Sequence, residues 1–261
     1  MNRSSWLRKM ISLPLCIVVL LTAIVPQAAM AQPVSLKGSQ KARSNKVRLK
    51  LPKLPPGDPP AGRRRGGGGR DTCPDVVVPV TALVPATTRS KNGKVIEDVW
   101  GLTTLEKPNF WIYSPYNQGD RFKASFVIRQ KNKHGNIIDS LPVQLPARPG
   151  LLKVTLPEKM PALQTNQSYY WEFLIDCREA GKGVPLKVEG MVQRVDLSET
   201  AKQQVAAELT PIGKAQQYAE NGIWFEALDL LSGCEQNEPN LKSNWEELLR
   251  SVNLDPTQFG R

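Results

Sequence analysis

The stretch that decides the fold is Tyr169-Tyr170-Trp171-Glu172-Phe173-Leu174-Ile175-Asp176-Cys177. Its odd positions hold tyrosine, tryptophan, phenylalanine, isoleucine and cysteine, so large apolar side chains recur with a period of two. Because successive side chains of a β-strand point to opposite faces, this period predicts a strand with one buried face. Cys177 shares the buried face, where a second cysteine could meet it.

Short runs of the same kind continue on both sides of this strand, from Pro74 to about Asp196. They lie at 76–84, 110–113, 122–129, 137–145, 152–156, 169–177 and 184–195, with turn residues between them. A tight turn is predicted at 133–136, because Gly135 can adopt a positive φ. About seven or eight strands without a helical period predict an antiparallel β-sandwich of the immunoglobulin or fibronectin type III class over residues 73–196.

Leu163 and Tyr169 have the spacing of a motif that closes a corner in fibronectin-like domains. In that motif the tyrosine hydroxyl forms a hydrogen bond back to the chain just before its strand. The proline usual at the third position is Thr165 in this sequence. The alternative is a core tyrosine that lacks the special hydrogen bond.

After Asp196 the apolar period becomes that of an amphipathic helix. The predicted helices run from a cap at Ser198 or Asp196 to Leu209, from Pro211 to Gly222, from Trp224 to Gly233, and onward from a capping box at Ser243-Asn244-Trp245-Glu246. Residues 197–261 therefore predict an α-helical tail, a hairpin or bundle that packs on itself or on the sandwich. Residues 218–228 resemble the middle of a tetratricopeptide repeat, although one copy cannot form a solenoid.

The first 31 residues predict a signal peptide. Arg3, Arg8 and Lys9 form a basic start, a 16-residue apolar run covers 10–25, and Ala31 fits the end of a small-residue cleavage site. Because a spanning helix needs roughly 20 apolar residues, we expect export to the periplasm or the extracellular space, with no transmembrane helix in the mature chain. The alternative is a leader that is retained as an anchor.

The formal net charge of +11 is concentrated in one segment. Residues 32–72 carry eleven Lys or Arg against two Asp, whereas residues 73–261 carry 21 against 22 Asp or Glu. Six prolines and seven glycines in 32–72 predict a disordered basic linker, since such a composition buries little apolar surface. A plain solvated linker is the first interpretation of this segment; the second is attachment to an anionic envelope surface through Arg63, Arg64, Arg65 and Arg70. We expect no nucleic-acid partner, because no aromatic residues are interleaved for base stacking.

Three cysteines remain once the leader, which contains Cys16, is removed: Cys73, Cys177 and Cys234. An oxidising compartment permits one disulfide and leaves one thiol over, and three pairings are possible. We predict the Cys73–Cys177 pair, because each cysteine borders a predicted strand; the alternative is two buried free thiols. The fate of Cys234 stays open.

The sequence argues against catalysis and against a cofactor or metal site. Its one histidine, His134, falls in a predicted exposed turn, which disfavours a Ser-His-Asp or Cys-His arrangement. The adjacent acids Glu97 and Asp98 would point to opposite faces of a strand, and the glycines at 66–69 lack the Lys-Ser/Thr of a phosphate loop. A hydrolase is therefore the weakest of the alternatives.

Binding is the better class of function, since sandwiches often present loops or a sheet face to a partner. Aromatic residues that could stack on sugar rings are Trp100, Trp111, Tyr113 and Tyr116, although a core role is the favoured interpretation of these residues. Phe225 and Leu230 fall off the main apolar stripe of the tail, where they could dock a protein or the sandwich itself. The expected partner is an envelope protein or a polysaccharide.

Several segments, taken in order, resemble a known family. They are 63–70 leading to Cys73, 81–85, 101–104 with 107–111, 156–157, 169–171 with Cys177, 188–190 and 218–224. The set is similar to domain of unknown function 928, a family of cyanobacterial exported proteins, over about residues 63–255. The resemblance implies an envelope protein with a β domain and a helical tail, and it implies no activity. We therefore expect an exported, non-enzymatic interaction or structural module, with a carbohydrate-binding module as the alternative.

Overall fold

A computed structural model describes residues 46–53, 61–66, 73–132, 134–178, 183–232 and 239–260, all within one compact unit that spans Ser44–Arg261. The predicted signal peptide, Arg70 and Cys234 lie outside the described residues. Within these ranges the strands are β1 Thr81–Ala82, β2 Ala86–Lys91, β3 Lys94–Thr103, β4 Asn109–Ser114, β5 Lys123–Gln130, β6 Ile137–Val143, β7 Gly150–Thr155, β8 Ser168–Asp176 and β9 Leu186–Arg194. The helices are α1 Glu199–Ala207, α2 Pro211–Glu220, α3 Trp224–Ser232 and α4 Pro239–Arg250.

Two sheets and a C-terminal group of helices make up the described chain. The larger sheet has the order β2-β3-β9-β8-β5-β6, and the smaller one has the order β1-β4-β7. This arrangement confirms a mainly β chain with a helical tail. It differs from the expected all-antiparallel sandwich in one pairing, because β3 runs parallel to β9 from Trp100 opposite Met191 onward.

The core confirms the period of two in the deciding stretch. Trp171 and Phe173 of β8 are fully buried and stand opposite Ile128 and Phe126 of β5. Phe110 of the smaller sheet packs on this face, with ring centroids 4.7 Å from Phe126 and 5.7 Å from Trp171. The two sheets therefore meet through an aromatic layer, which contributes the large apolar burial that a sandwich needs.

The corner motif is also confirmed. Leu163 is fully buried, and the hydroxyl of Tyr169 accepts a hydrogen bond of 2.8 Å from the backbone N–H of Gln164. The tyrosine thus ties the start of β8 to the loop before it, although Thr165 replaces the usual proline.

The structure contains one hairpin, formed by β2 and β3, that is not among the strands predicted from the sequence. β2 and β3 are joined by Asn92 and Gly93, both left-handed with φ of 53° and 71°. This Asn-Gly turn matches the twist of the two strands. By contrast, the strand predicted at 76–84 shrinks to Thr81–Ala82, and Val77 is fully exposed. Pro79 lacks the N–H that a longer ladder would use.

In the turn between β5 and β6, Gly135 has a different role from the one predicted. Lys131 adopts the left-handed conformation, with φ of 61°, and Gly135 has no positive φ. Gly135 is needed for close approach instead, because a Cβ there would lie 1.7 Å from the carbonyl oxygen of Gln130.

Two of the four predicted helices, α1 and α2, begin where their caps indicate, α3 begins at Trp224 as predicted, and α4 begins before its predicted capping box. Ser198 and Thr210 accept hydrogen bonds from the first turns of α1 and α2. α4 begins at Pro239, so the capping box at 243–246 is wrong. The hydroxyl of Ser243 donates back to the carbonyl of Asn240 at 3.1 Å, as serines inside helices do. In the described chain, no helix is long and apolar enough to cross a bilayer.

Helix α3 joins the tail to the sandwich. The aromatic rings of Trp224 and Phe225 pack against Gly101 of β3, where a Cβ would lie 3.0 Å from the Phe225 ring. The Trp224 indole donates to the carbonyl of Leu83 at 2.8 Å, and the Phe225 ring lies 5.0 Å from that of Phe110. The boundary predicted at 196–197 therefore marks a change of secondary structure within one shared hydrophobic core.

Two parts of the predicted disordered linker are packed against this body. We call residues 46–53 the N-terminal peptide and residues 61–66 the bridging segment. Val47 is fully buried and Leu49 is 8% exposed, so the N-terminal peptide belongs to the core. The expectation of disorder is wrong for these residues, because Val47 and Leu49 alternate with cations and bury one face of an extended chain.

Candidate functional site

The predicted disulfide is present. Cys73 and Cys177 are bonded, with their Cα atoms 5.0 Å apart and 104 positions of sequence between them. Cys177 is nearly buried at the end of β8, on the core face that the period of two predicted. The bond therefore fastens the chain just before the sandwich to the central strand of the larger sheet.

The four aromatic residues that could bind sugars make contacts with different parts of the protein. Trp100 and Tyr116 are only 5% and 4% exposed, and the Tyr116 hydroxyl donates to the carbonyl of Pro74 at 2.7 Å. Trp111 and Tyr113 are half-buried, and the Tyr113 ring contacts that of Phe259. A sugar-stacking platform requires exposed, coplanar rings, so that prediction is wrong for Trp100 and Tyr116.

Asp229 of α3 engages Trp111 on the smaller sheet. It accepts hydrogen bonds from the Trp111 indole and from the Asn109 amide, both at 2.9 Å, and it pairs with Lys153 at the same distance. The Lys153 ammonium also lies 5.6 Å from the Trp111 ring centroid. These contacts hold Trp111 in the interface between sheet and tail.

The predicted docking residues of the tail differ in accessibility. Phe225 is 2% exposed and packs against Phe110 of the sandwich, so of the two roles predicted for it the structure shows docking on the sandwich and leaves the ring inaccessible to a separate protein. Leu230 is half-buried and packs against the same core. The reason is geometric, since α3 contacts the sheets with more of its circumference than a single apolar stripe provides.

The bridging segment pairs with β3, β9 and β1 through isolated β-bridges. The N–H of Gly62 donates to the carbonyl of Glu97 at 2.8 Å, and Arg63 exchanges two backbone hydrogen bonds of 2.9 Å with Glu189. A Cβ at Gly62 would lie 2.6 Å from the Glu189 carbonyl, so only glycine permits this approach. The arginine-glycine run is thus partly a structural element and not a solvated linker.

Arg64 is buried, which corrects its predicted role as an anionic-surface contact. It is 8% exposed, and its guanidinium donates to the carbonyls of Val252 and Asn253 at 2.7 and 3.2 Å. Burial lowers the pKa of Arg64, although the nearby Glu97 carboxylate opposes the shift. Arg63 and Arg65 are exposed and remain available to an anionic surface.

A pair of carboxylates lies on neighbouring strands of the larger sheet. Glu172 and Glu189 stand directly opposite each other on β8 and β9. Arg129 and Lys187 each lie 3.2 Å from Glu172, and Lys187 also pairs with Glu189. The Tyr170 hydroxyl donates to Glu189, and burial together with this carboxylate raises the pKa of Tyr170. Each acid is neutralised by a cation, so the cluster suits a structural role.

The best-built recognition geometry lies on the helical tail, where the N-terminal peptide is held. The backbone N–H groups of Val47 and Leu49 donate to Asn244 Oδ1 at 2.9 Å and to Ser251 Oγ at 3.1 Å. The N–H of Lys50 donates to the carbonyl of Ala219, at the end of α2, at 2.9 Å. An extended peptide is thus bound through its main chain by two helices.

The acceptors in α4 and in the turn directly after it are oriented by hydrogen bonds to helix carbonyls. Asn244, Glu247 and Ser251 are spaced by three and four positions and therefore share one face. The Asn244 amide donates to the carbonyl of Asn240 at 2.8 Å, and the Ser251 hydroxyl donates to that of Leu248 at 2.6 Å. With their donors engaged in this way, both side chains present an oxygen to the peptide.

Glu247 and Gly222 complete the surface, which we call the tail groove: Ala219, Gly222, Asn244, Glu247 and Ser251. Glu247 accepts from Arg48 Nε at 2.5 Å and lies 3.7 Å from Lys46. Burial alone would raise the pKa of Glu247, but the hydrogen bond and charge of Arg48 hold it below its usual value. Gly222 has φ of +76°, and a Cβ there would lie 3.1 Å from Pro52.

A buried carboxylate fixes the other side of the tail. Glu226 of α3 accepts hydrogen bonds from the N–H and hydroxyl of Thr104, at 2.5 and 2.6 Å, and from the hydroxyl of Thr103 at 3.1 Å. Burial raises the pKa of Glu226, and the threonine donors only partly oppose this. The side chain joins the start of α3 to the end of β3.

Among the described residues, no group of three or more His, Cys, Asp or Glu could hold a metal ion.

The composition of residues 32–72 does not predict that part of this segment is bound in the tail groove. The signals that could have revealed it are the alternation of Val47, Leu49 and Leu51 with cations, and the polar stripe of Asn244, Glu247 and Ser251. These two patterns are separated by almost 200 positions, as the 197 between Val47 and Asn244 show. Only the folded chain brings them together.

Comparison with known protein families identifies a match over most of the chain. A family model described as Domain of Unknown Function (DUF928) matches residues 62–259. No curated protein and no solved structure matches the chain significantly.

Proposed function

Since the chain belongs to the family Domain of Unknown Function (DUF928), whose description names no activity, we propose a function from the geometry: an exported, non-enzymatic interaction module of the cell envelope. Its binding surface is the tail groove, and its ligands are extended polypeptide segments. The description of the family neither requires nor contradicts this role.

The observation that carries the proposal is the way the tail holds the N-terminal peptide. Three backbone N–H groups, those of Val47, Leu49 and Lys50, are bound by acceptors from the tail. Main-chain hydrogen bonds supply affinity for any extended segment, and pockets for alternate side chains supply selectivity. The helical tail therefore has the chemistry of a peptide-recognition surface.

The disulfide supports the exported location. Disulfides persist in oxidising compartments and are rare in the cytosol, and the Cys73–Cys177 bond closes a long loop around the sandwich. Exposed Arg63 and Arg65 support a weaker, salt-sensitive attachment to an anionic surface. The buried Trp100 and Tyr116 give little support to a polysaccharide ligand.

The proposal is tested by cross-linking in the native cell, comparing two adjacent glutamates. Glu247→Lys reverses the charge that contacts the N-terminal peptide, whereas Glu246→Lys changes a half-buried residue whose ion pair within the described residues is with Arg250, at 2.9 Å. We expect the partner set of the Glu246→Lys protein to match wild type and that of Glu247→Lys to change. Identical partner sets in all three proteins would contradict a role for the groove.

A further inference from the structure

We propose that the N-terminal peptide is an intramolecular competitor for the tail groove, and that the groove's external ligand is an extended segment with the same alternation of cationic and branched apolar residues. This inference rests on the proposed function and specifies its ligand. It assigns a sequence preference and a resting, self-occupied state to the groove.

The bound peptide displays the side-chain preference directly. Val47 is fully buried and Leu49 is 8% exposed, whereas Leu51 is 49% exposed. The groove therefore selects apolar side chains at two alternate positions and not at the third. A segment shifted by one residue would place cations in both apolar sites, at a large desolvation cost.

Electrostatics select the residue between the two apolar positions. Glu247 faces Arg48 Nε at 2.5 Å and Lys46 Nζ at 3.7 Å, and Arg250 contributes a further positive charge nearby. An arginine between the apolar residues makes the charge-assisted contact that a neutral residue cannot. An acidic residue there would repel Glu247, so the groove discriminates against anionic segments.

The turn before α3 adds a steric requirement. Gly222 is left-handed, and its missing Cβ leaves room for Pro52, 3.1 Å away, and for the carbonyl of Lys50, 3.3 Å away. Pro52 has no N–H, so no donor is stranded where the peptide leaves the helices. The preferred ligand is thus apolar–Arg–apolar, followed three positions later by proline.

Attachment through a linker gives the N-terminal peptide the properties of a competitor. Its hydrogen bonds go to the tail, through Asn244, Ser251 and Ala219, while the bridging segment pairs with the sheets from Ala61 onward. Residues 54–60, which connect the two, contain four prolines in seven residues. A tethered ligand has an effective concentration in the millimolar range, so an external segment must exceed it or bind more tightly.

The test uses the full chain and a fluorescent synthetic peptide with the sequence of residues 46–53. Wild type should bind this probe weakly, because its own peptide fills the groove. Val47→Asp with Leu49→Asp should vacate the groove and tighten probe binding by roughly tenfold or more. Adding Asn244→Ala to that variant should reverse the gain. A control probe with the cationic and apolar positions exchanged should not bind.

Equal probe affinity in wild type and in the folded double variant would overturn the inference. If the double variant does not fold, hydrogen exchange on wild type decides: saturating probe should expose the amides of Val47 and Leu49 while that of Phe173 stays protected. Unchanged protection at saturating probe would equally overturn it. Either negative result leaves the cross-linking test of the proposed function intact, so the two failures are distinguishable.

Discussion

A buried hydrogen bond of 2.7 Å joins the guanidinium of Arg64 to the carbonyl of Val252, 188 positions away. The same guanidinium donates to Asn253, so one arginine satisfies two carbonyls just after α4. A cation at the end of a helix also interacts favourably with its dipole. Arg64 thus fastens the helical tail to the bridging segment, which itself lies between β3 and β9.

Replacing Arg64 with alanine should lower the free energy of unfolding by about 2–4 kcal/mol, because it leaves two partly buried carbonyls without donors. Arg63→Ala is the matched control, since its exposed side chain is expected to change stability by less than about 0.5 kcal/mol. Urea unfolding of the two variants measures the difference. Equal midpoints would mean that Arg64 is not needed to hold the tail.

Removing the disulfide with Cys73→Ser and Cys177→Ser together should destabilise the protein by about 4–5 kcal/mol, as the chain-entropy model gives for a loop of this length. The double variant avoids a stray thiol from a single replacement. Unfolding curves of the oxidised wild type and the variant test this. Thiol counting on the non-reduced wild type is the control, and reactive thiols at both positions would contradict the bond.

The elements that the sequence predicts well are those with a local signal. The period of two in residues 169–177, the caps at Ser198 and Thr210 and the Leu163–Tyr169 spacing each describe a short stretch, and the structure confirms them. The Asn92-Gly93 turn also has a local signal, which strand counting overlooked. Local patterns identify elements without saying which of them meet.

The candidate site depends on contacts that no local pattern specifies. Composition makes residues 32–72 look unable to fold, yet Val47 and Leu49 need only a groove that another part of the chain supplies. Arg64 resembles its exposed neighbours until its carbonyl partners on the far end of the chain are known. The burial of Phe225 likewise follows from the missing Cβ of Gly101 on another element.

Gly190 should tolerate no side chain. A Cβ there would lie 2.7 Å from the Trp171 ring and 2.8 Å from the carbonyl of Val99, so Gly190→Ala should lower stability by about 1–3 kcal/mol through overpacking. Gly150→Ala is the matched control, because its nearest neighbour, the carbonyl of Arg148, lies 3.7 Å away. Thermal unfolding compares the two variants. Equal melting temperatures would contradict the tight contact between β9 and Trp171.

Glu226 should make stability fall as the pH rises. Burial holds its pKa in the folded protein above the ordinary value near 4.5. Between the two values the folded chain keeps a proton that the unfolded chain has released, so the free energy of unfolding decreases with increasing pH. The loss is about 1.4 kcal/mol for each pH unit across that window, and it is absent below the ordinary value.

Glu226→Gln isolates this contribution. The amide oxygen can still accept hydrogen bonds from Thr104 and Thr103, but the residue no longer titrates. The free energy of unfolding of the variant should therefore increase relative to that of wild type as the pH rises above about 4.5. The carboxylates with lowered pKa, such as Asp176, have the opposite pH dependence, and they cancel because both proteins contain them. Urea unfolding from pH 4 upward measures the difference, with exposed Glu220→Gln as the control. A stability difference that stays constant with pH would show that Glu226 titrates alike in the folded and unfolded chains.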